Sequence, residues 1–217
     1  MTESDIHNFL SLFPDSLMKL SKEEQDLSIA LYRQLAKGQP VSSEVLAESV
    51  TEPSADVLAI INQWGSEVHR NNDGNMVGFF GLSLNRTAHS LEVNGQLLYT
   101  WCAWDTLFIP ALLNQTVEIN STCPVTSQAI ALEVSPSGIL SAQPATAVVS
   151  LISPDPEKIS ENVTGTFCCH IHFFASKEVG EAWSEKNTGT SIVSLEDAYH
   201  LGRRKNELRY PNVFTST

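Results

Sequence analysis

Two short segments carry the residues best able to do chemistry. In Tyr99-Thr-Trp-Cys102-Ala-Trp-Asp105-Thr106 a thiol and a carboxylate stand three residues apart. If a helix begins near Cys102, both lie on one face within reach of a shared ligand. A thiol in a first helical turn also feels the positive end of the helix dipole, which favours thiolate. The same spacing equally suits a plain buried cysteine with Asp105 as a local hydrogen-bond acceptor. The second segment is Phe167-Cys168-Cys169-His170-Ile171-His172-Phe173-Phe174. Read as part of a strand over 166–174, it sends neighbouring side chains to opposite faces. Cys168 then shares a face with His170 and His172, and Cys169 shares one with Ile171 and Phe173, whose apolar company marks Cys169 for structural burial. A Cys-x-His-x-His metal site is geometrically awkward there. The outer two residues would stand about 13 Å apart, beyond ligand bonds of about 2 Å. Cys123, in Ser-Thr-Cys-Pro beside a turn, reads as structural.

Two thiols on different elements and one carboxylate therefore remain. Thiolates prefer soft metals. Two of them without further ligands suit the linear coordination that Hg(II) favours better than a four-ligand zinc site. The four cysteines, Cys102, Cys123, Cys168 and Cys169, contain no C-x-x-C pair, which disfavours both structural zinc and a disulfide oxidoreductase.

The elements that must position these groups divide the chain in two. Ser21-Lys-Glu-Glu24 is a capping box ahead of the periodic run Leu27, Ala30, Leu31, Leu35, which Gly38 and Pro40 end. A second short helix fits 43–50, and Ser54 caps a third with Val57, Leu58, Ile60, Ile61 and Trp64 as its stripe. Asn72-Asp73-Gly74 predicts a hairpin between 67–69 and 76–84. Helices followed by such a wing suggest a winged-helix-like domain over 1–82. From there the pattern turns strand-rich. Asn94-Gly95 joins strands at 90–93 and 96–99. A short helix with Pro110 covers the stretch to Leu113, and strands follow at 116–119, 130–134, 147–152 and 166–174. Ser176 and Ser194 are N-caps of two closing helices. The expected fold is thus α+β: a helical winged-helix-like N-terminal domain (1–82) packed on a mixed catalytic domain (83–217) with antiparallel strands.

Charge excludes the usual work of a winged helix. The formal net charge is −12, and 40–69 holds no Lys or Arg but five acids, Glu44, Glu48, Glu52, Asp56 and Glu67. Readers of nucleic acid need the opposite. No apolar run approaches the roughly 20 residues of a bilayer span, and the first residues lack a secretory signal's basic start and cleavage site. A cytoplasmic location is expected, with the cysteines as thiols.

These segments resemble the organomercurial lyase (alkylmercury lyase) family of bacterial mercury resistance. The resemblance is carried by Leu-Tyr99-Thr-Trp-Cys102-Ala-Trp-Asp105-Thr-Leu and Phe167-Cys168-Cys169-His170-Ile-His172-Phe-Phe-Ala-Ser176. Weaker matches lie at 35–42, 73–75 and 134–137. It implies that Cys102 and Cys168 are the mercury-binding thiols, that Asp105 is the acid–base residue, and that Cys123 and Cys169 are structural. It also implies protonolysis of the carbon–mercury bond of alkyl- and arylmercurials to a hydrocarbon and protein-held Hg(II). No organic cofactor or resting metal is expected. Cellular thiols and mercuric reductase are the expected acceptors of Hg(II). One departure is Trp104, where the family pattern has a smaller aliphatic residue; it would narrow the pocket. Trp101, Phe108 and Phe173 could help to keep that pocket dry. The competing reading is a thiol-based mercury or soft-metal binder without lyase activity, which would have no use for Asp105.

Overall fold

The computed structural model describes residues 1–50 and 57–214, and the cap expected at Ser54 lies outside them. The chain opens with two short helices that the periodicity analysis does not anticipate, α1 (Glu3–Leu10) and α2 (Asp15–Met18). Thr2 and Asp5 form a capping box on α1, and Ile6, Leu10, Phe13 and Leu17 are buried. The capping box at Ser21 starts α3 (Lys22–Leu35), as its sequence predicts. Two shorter helices follow, α4 (Ser43–Glu48) and α5 (Val57–Gln63).

The strands β1 (Val68–Arg70) and β2 (Met76–Phe79) form the expected hairpin, and a tight turn at Phe80-Gly81 leads into β3 (Leu82–Ser83). Both turn residues have positive φ, 33° and 100°. Then come β4 (His89–Val93), β5 (Gln96–Thr100), α6 (Asp105–Leu113), β6 (Val117–Thr122), β7 (Ala129–Ser135) and β8 (Gly138–Gln143). These eight strands make one antiparallel sheet in the order β1-β2-β3-β5-β4-β6-β7-β8. The wing and the strands after residue 83 therefore pair edge to edge, and the position expected for a domain junction falls within β3. The architecture is mixed α+β with an antiparallel sheet.

The remaining elements are β9 (Val148–Ile152), α7 (Pro156–Thr166), β10 (Phe173–Phe174), α8 (Lys177–Ser184), β11 (Thr190–Ser194) and α9 (Leu195–Arg209). A second antiparallel sheet has the order β10-β9-β11. Ser176 and Ser194 cap α8 and α9 as expected. The inward face of α9 repeats at three and four residues: Ala198, Leu201, Gly202, Lys205 and Arg209 are all buried. Gly202 allows α9 to lie close on α6, because a Cβ there would stand 2.8 Å from the Cβ of Phe108.

The expected strand over 166–174 is a correction. Cys168–His170 is a turn of 3₁₀ helix, closed by His170 N–H to the Phe167 carbonyl and Ile171 N–H to the Cys168 carbonyl, and only Phe173 and Phe174 are strand. Because residues three apart eclipse in such a turn, Cys168 and Ile171 share the buried side. Cys169 points outward and is exposed, not buried, and its thiol donates to the Gly165 carbonyl at 3.0 Å. Alternation failed because it assumed two residues per repeat where the backbone takes three.

Candidate active site

Asp105 is the first residue of α6, and its carboxylate turns back to accept the Cys102 amide N–H at 2.8 Å. Cys102 itself lies in the turn ahead of the helix, not in its first turn as the spacing suggests. The surrounding backbone fixes this turn. The Thr100 hydroxyl donates to the Cys102 carbonyl at 2.9 Å, and the Trp101 amide donates to Gly81 at 2.8 Å. The Ala103 amide donates to the Ile171 carbonyl at 3.3 Å and so ties this loop to the Cys168 turn. On the other side, buried Ser150 of β9 clamps the same turn: its hydroxyl donates to the His170 carbonyl at 2.8 Å and accepts from the His172 amide at 2.9 Å.

The result is convergence. The sulfurs of Cys102 and Cys168 and a carboxylate oxygen of Asp105 all lie within 4.8 Å of one another. The three residues are only 1%, 5% and 6% exposed. His170 and His172 are not part of the cluster, and the His172 ring nitrogen Nε2 lies 3.0 Å from the Cys169 carbonyl instead. Cys123 is buried at the β6–β7 turn, where its amide donates to Gln128.

Burial governs the protons. It pushes the Cys102 thiol well above its ordinary range, reinforced by the contact with Cys168 and by the Asp105 charge. At Cys168 the hydrogen bond with Cys102 pulls downward, but burial and Asp105 outweigh it and the thiol ends raised. Burial also lifts Asp105, to about 6, against the opposing pull of Lys205 and of the hydrogen bonds from Cys102. Burial thus favours protonated thiols and also raises the proton affinity of the carboxylate beside them. Desolvation of the sulfur opposes the thiolate that a helix dipole would favour, and the helix starts only three residues later. What the site holds instead is a base within reach of two weak acids.

An apolar cleft adjoins this cluster, lined by Phe13, Leu17, Phe80, Trp101, Trp104 and Phe108 among others, together with Asp105, Cys168 and Lys205. Its cavity volume is only about 20 Å³, close to the space of one water. Trp104 is one of the residues that line it. Its ring meets Phe9, Phe13, Phe108 and Phe167, and its indole N–H donates to the Ala198 carbonyl at 2.9 Å. Phe173 lies elsewhere, edge-on to His89. The sequence reading misses Phe13 and Leu17, which belong to the unanticipated opening helices, and Lys205. The three- and four-residue repeat of α9 could have placed that lysine on the inner face.

Similarity to known proteins can now be set beside this geometry. The MerB alkylmercury lyase family model matches residues 82–206. An alkylmercury lyase of Pseudomonas putida is 40% identical over 182 residues, 83% of each chain. The chain belongs to the alkylmercury lyase family. A relative from Staphylococcus epidermidis, also an alkylmercury lyase, is 39% identical over 80% of this chain and 78% of its own. Among solved structures, the mercury-bound form of MerB2 superposes with a TM-score of 0.75 at 26% identity, covering 94% of this chain and 99% of that one. No helix among the described residues is long and apolar enough to cross a membrane.

For a member of this family, Gly81 takes on a definite task. Its φ is 100°, and a Cβ built on it would lie 2.7 Å from Cγ and Oδ1 of Asp105. Gly81→Ala should push the carboxylate out of line and strain the turn by roughly 1–2 kcal/mol. The expected result is a folded protein with a modestly lowered melting temperature and at least tenfold slower turnover. Unchanged turnover would show that Asp105 needs no such close approach.

Proposed function

We propose that this alkylmercury lyase family member cleaves the carbon–mercury bond by protonolysis, with Cys102 and Cys168 as the mercury-binding thiols and Asp105 as the proton carrier. The supporting observation is the meeting of two thiols and one carboxylate in a buried site. The substrate arrives as R–Hg–SR′, bound to a cellular thiol. One protein thiol exchanges with it, giving R–Hg–S(Cys) and free R′SH. The second thiol passes its proton to Asp105, and its sulfur adds to mercury, giving an anionic three-coordinate R–Hg(S)₂. The added electron density makes the mercury-bound carbon basic. Asp105 then delivers its proton to that carbon while the carbon–mercury bond breaks with its electron pair going to carbon. R–H leaves, Hg(II) stays on the two sulfurs, and Asp105 is again a carboxylate that can assist as a third ligand. The raised affinity of Asp105 for protons suits this shuttle, because an ordinary carboxylate would hold a thiol's proton too weakly.

The cavity is too small for an alkyl or aryl group as it stands, so entry requires lining side chains to move. On this reading the winged-helix-like N-terminal domain, 1–82, serves as a cover over the catalytic domain, 83–217, and reads no nucleic acid. Hg(II) would pass to excess cellular thiol or to mercuric reductase in the cytoplasm, and neither an organic cofactor nor a resting metal is required.

The test is headspace detection of methane or benzene from methyl- or phenylmercury with excess thiol. Hydrocarbon released in step with the appearance of sulfur-bound Hg(II) supports protonolysis. Tight mercury binding without hydrocarbon would make the protein a binder and sink the mechanism.

A further inference from the structure

Phe80 sits where side chains seldom go. Between β2 and β3 its φ is 33°, a left-handed backbone that strains a bulky residue. Such a conformation persists only where the surroundings over-determine it, and it gathers at working sites. The hold on this turn is close. The Phe80 amide donates to the Glu67 carbonyl at 3.0 Å, and the Gly81 carbonyl accepts the Trp101 amide at 2.8 Å. The Phe80 ring centre lies 4.0 Å from the Arg209 guanidinium carbon. Between these, the Phe80 carbonyl accepts the Tyr32 hydroxyl at 2.7 Å. That bond alone of the three comes from a side chain. Tyr32 is a fully buried residue of α3, and it reaches 48 positions along the chain to make the bond.

The turn lies directly against Asp105. The carboxylate accepts the Cys102 amide at Oδ2, while Gly81 approaches so closely that a Cβ there would stand 2.7 Å from Oδ1. One oxygen is thus fixed by a hydrogen bond and the other is backed by main chain. We propose that Tyr32 is a positioning residue: its hydroxyl holds the Phe80-Gly81 turn in its strained form, and the turn holds the Asp105 carboxylate toward the two thiols. This rests on the lyase reading. Without the hydroxyl the Phe80 carbonyl loses this partner in a buried place, and the left-handed backbone relaxes toward an ordinary φ. Gly81 then shifts against Asp105. Proton delivery to carbon needs the reacting atoms in near-attack geometry, and a misplacement of about 1 Å can cost about 100-fold in rate. Mercury is held by the sulfurs, which this turn does not touch through Tyr32. Helix α3, far from the thiols in sequence, therefore sets the rate of the chemical step and not the affinity for substrate.

The experiment uses the full chain with phenylmercury and excess thiol, measuring kcat and KM for benzene release together with the melting temperature of each variant. Tyr32→Phe removes one oxygen and should lower kcat by about 10- to 100-fold, while KM stays within about twofold. Ser28→Ala is the control. Ser28 lies one turn earlier on α3, equally buried, and its hydroxyl bonds the Tyr210 hydroxyl at 2.8 Å instead of the turn. It should lower the melting temperature about as much as Tyr32→Phe and leave kcat intact. The double variant Tyr32→Phe, Gly81→Ala should be little slower than the slower single one, since both act on one turn. Folded Tyr32→Phe with wild-type kcat overturns the proposal. So do equal losses of kcat in Tyr32→Phe and Ser28→Ala, or a double variant as slow as the product of the single losses. Should Tyr32→Phe fail to fold in buffer, it is compared with wild type in sucrose, which favours the compact state. A variant that sucrose does not restore makes the hydroxyl purely structural and sinks the proposal. Wild-type protein that releases no benzene would instead overturn the lyase reading beneath it.

Discussion

Replacing Cys168 by serine should stop hydrocarbon release and leave the fold in place. The side chain is nearly isosteric and buried beside Cys102 and Asp105, so packing changes little. The chemistry changes completely, because a hydroxyl is a hard, poorly ionised ligand and mercury is soft. Without the second sulfur the electron density that makes the carbon basic never arrives. Cys102→Ser should be just as inactive, and the double variant no worse than either single one, since the two sulfurs act as a unit. Asp105→Asn asks a different question. It removes the proposed proton carrier and keeps both sulfurs, so turnover should fall by roughly 10²- to 10⁴-fold, the usual worth of a positioned acid–base group, while Hg(II) still binds. Headspace hydrocarbon and the amount of Hg(II) retained after gel filtration would be read on all four proteins. Steady hydrocarbon release by Cys168→Ser would remove that residue from the mechanism. Asp105→Asn with wild-type turnover would assign the proton to some other donor.

The second large effect is on stability and lies at the far end of the buried charges. Arg209 is fully buried, its guanidinium bonded to Glu67 at 3.1 Å and to the Tyr210 hydroxyl at 3.1 Å, with the Phe80 ring centre 4.0 Å from its central carbon. Removing one partner of such a pair costs about 3–5 kcal/mol, so Arg209→Met should be severely destabilised in urea. The loss should also depend on pH. Glu67 already titrates at about 7, because burial raises it more than Arg209 lowers it. A carboxyl raised above its unfolded value gives stability that is complete below pH 4.5 and is lost as pH rises through the folded value. Without Arg209 that folded value climbs further. Glu67 in the variant then escapes its unpaired charge by taking a proton at pH 6, and loses that escape by pH 9. The penalty of Arg209→Met should therefore be distinctly larger at pH 9 than at pH 6. A penalty equal at both would mean that the arginine matters for its packing against Phe80 and not for its charge.

How much of this was legible in the sequence depended on the range of the interaction. Capping at Ser21, Ser176 and Ser194 involves residues within one helical turn, and those helices begin as predicted. The Asn-Gly and Asp-Gly turns are equally local, and their hairpins formed. Cys102, Asp105 and Cys168 could be nominated from residue type, spacing and family resemblance. Their meeting could not be derived from sequence alone, because it depends on long-range bonds such as Ala103 to Ile171 and on the Ser150 clamp from β9. The opposing effects on the thiols differ in the same way: a dipole can be read from a helix start, but desolvation needs the whole core. Cys169 was misplaced because the segment from Phe167 to Phe174, apolar or cysteine except at His170 and His172, looks the same to an alternating pattern whether or not a 3₁₀ turn interrupts it. Elements α1, α2, β8 and α7 were passed over. Each is short or weakly patterned and is held by what packs on it.

The burial of the working sulfurs has a further consequence, for how long the idle protein lasts. Alkylating agents and peroxides attack thiolates that they can reach. Cys102 and Cys168 are buried, and burial disfavours their thiolates, whereas Cys169 is exposed to solvent. Ageing in air should therefore begin at Cys169 and spare the pair for as long as the core stays closed. The same closure ranks attackers by character: small, uncharged, fat-soluble compounds can follow the aromatic cleft inward, and ionic oxidants are left outside with the exposed sulfur of Cys169.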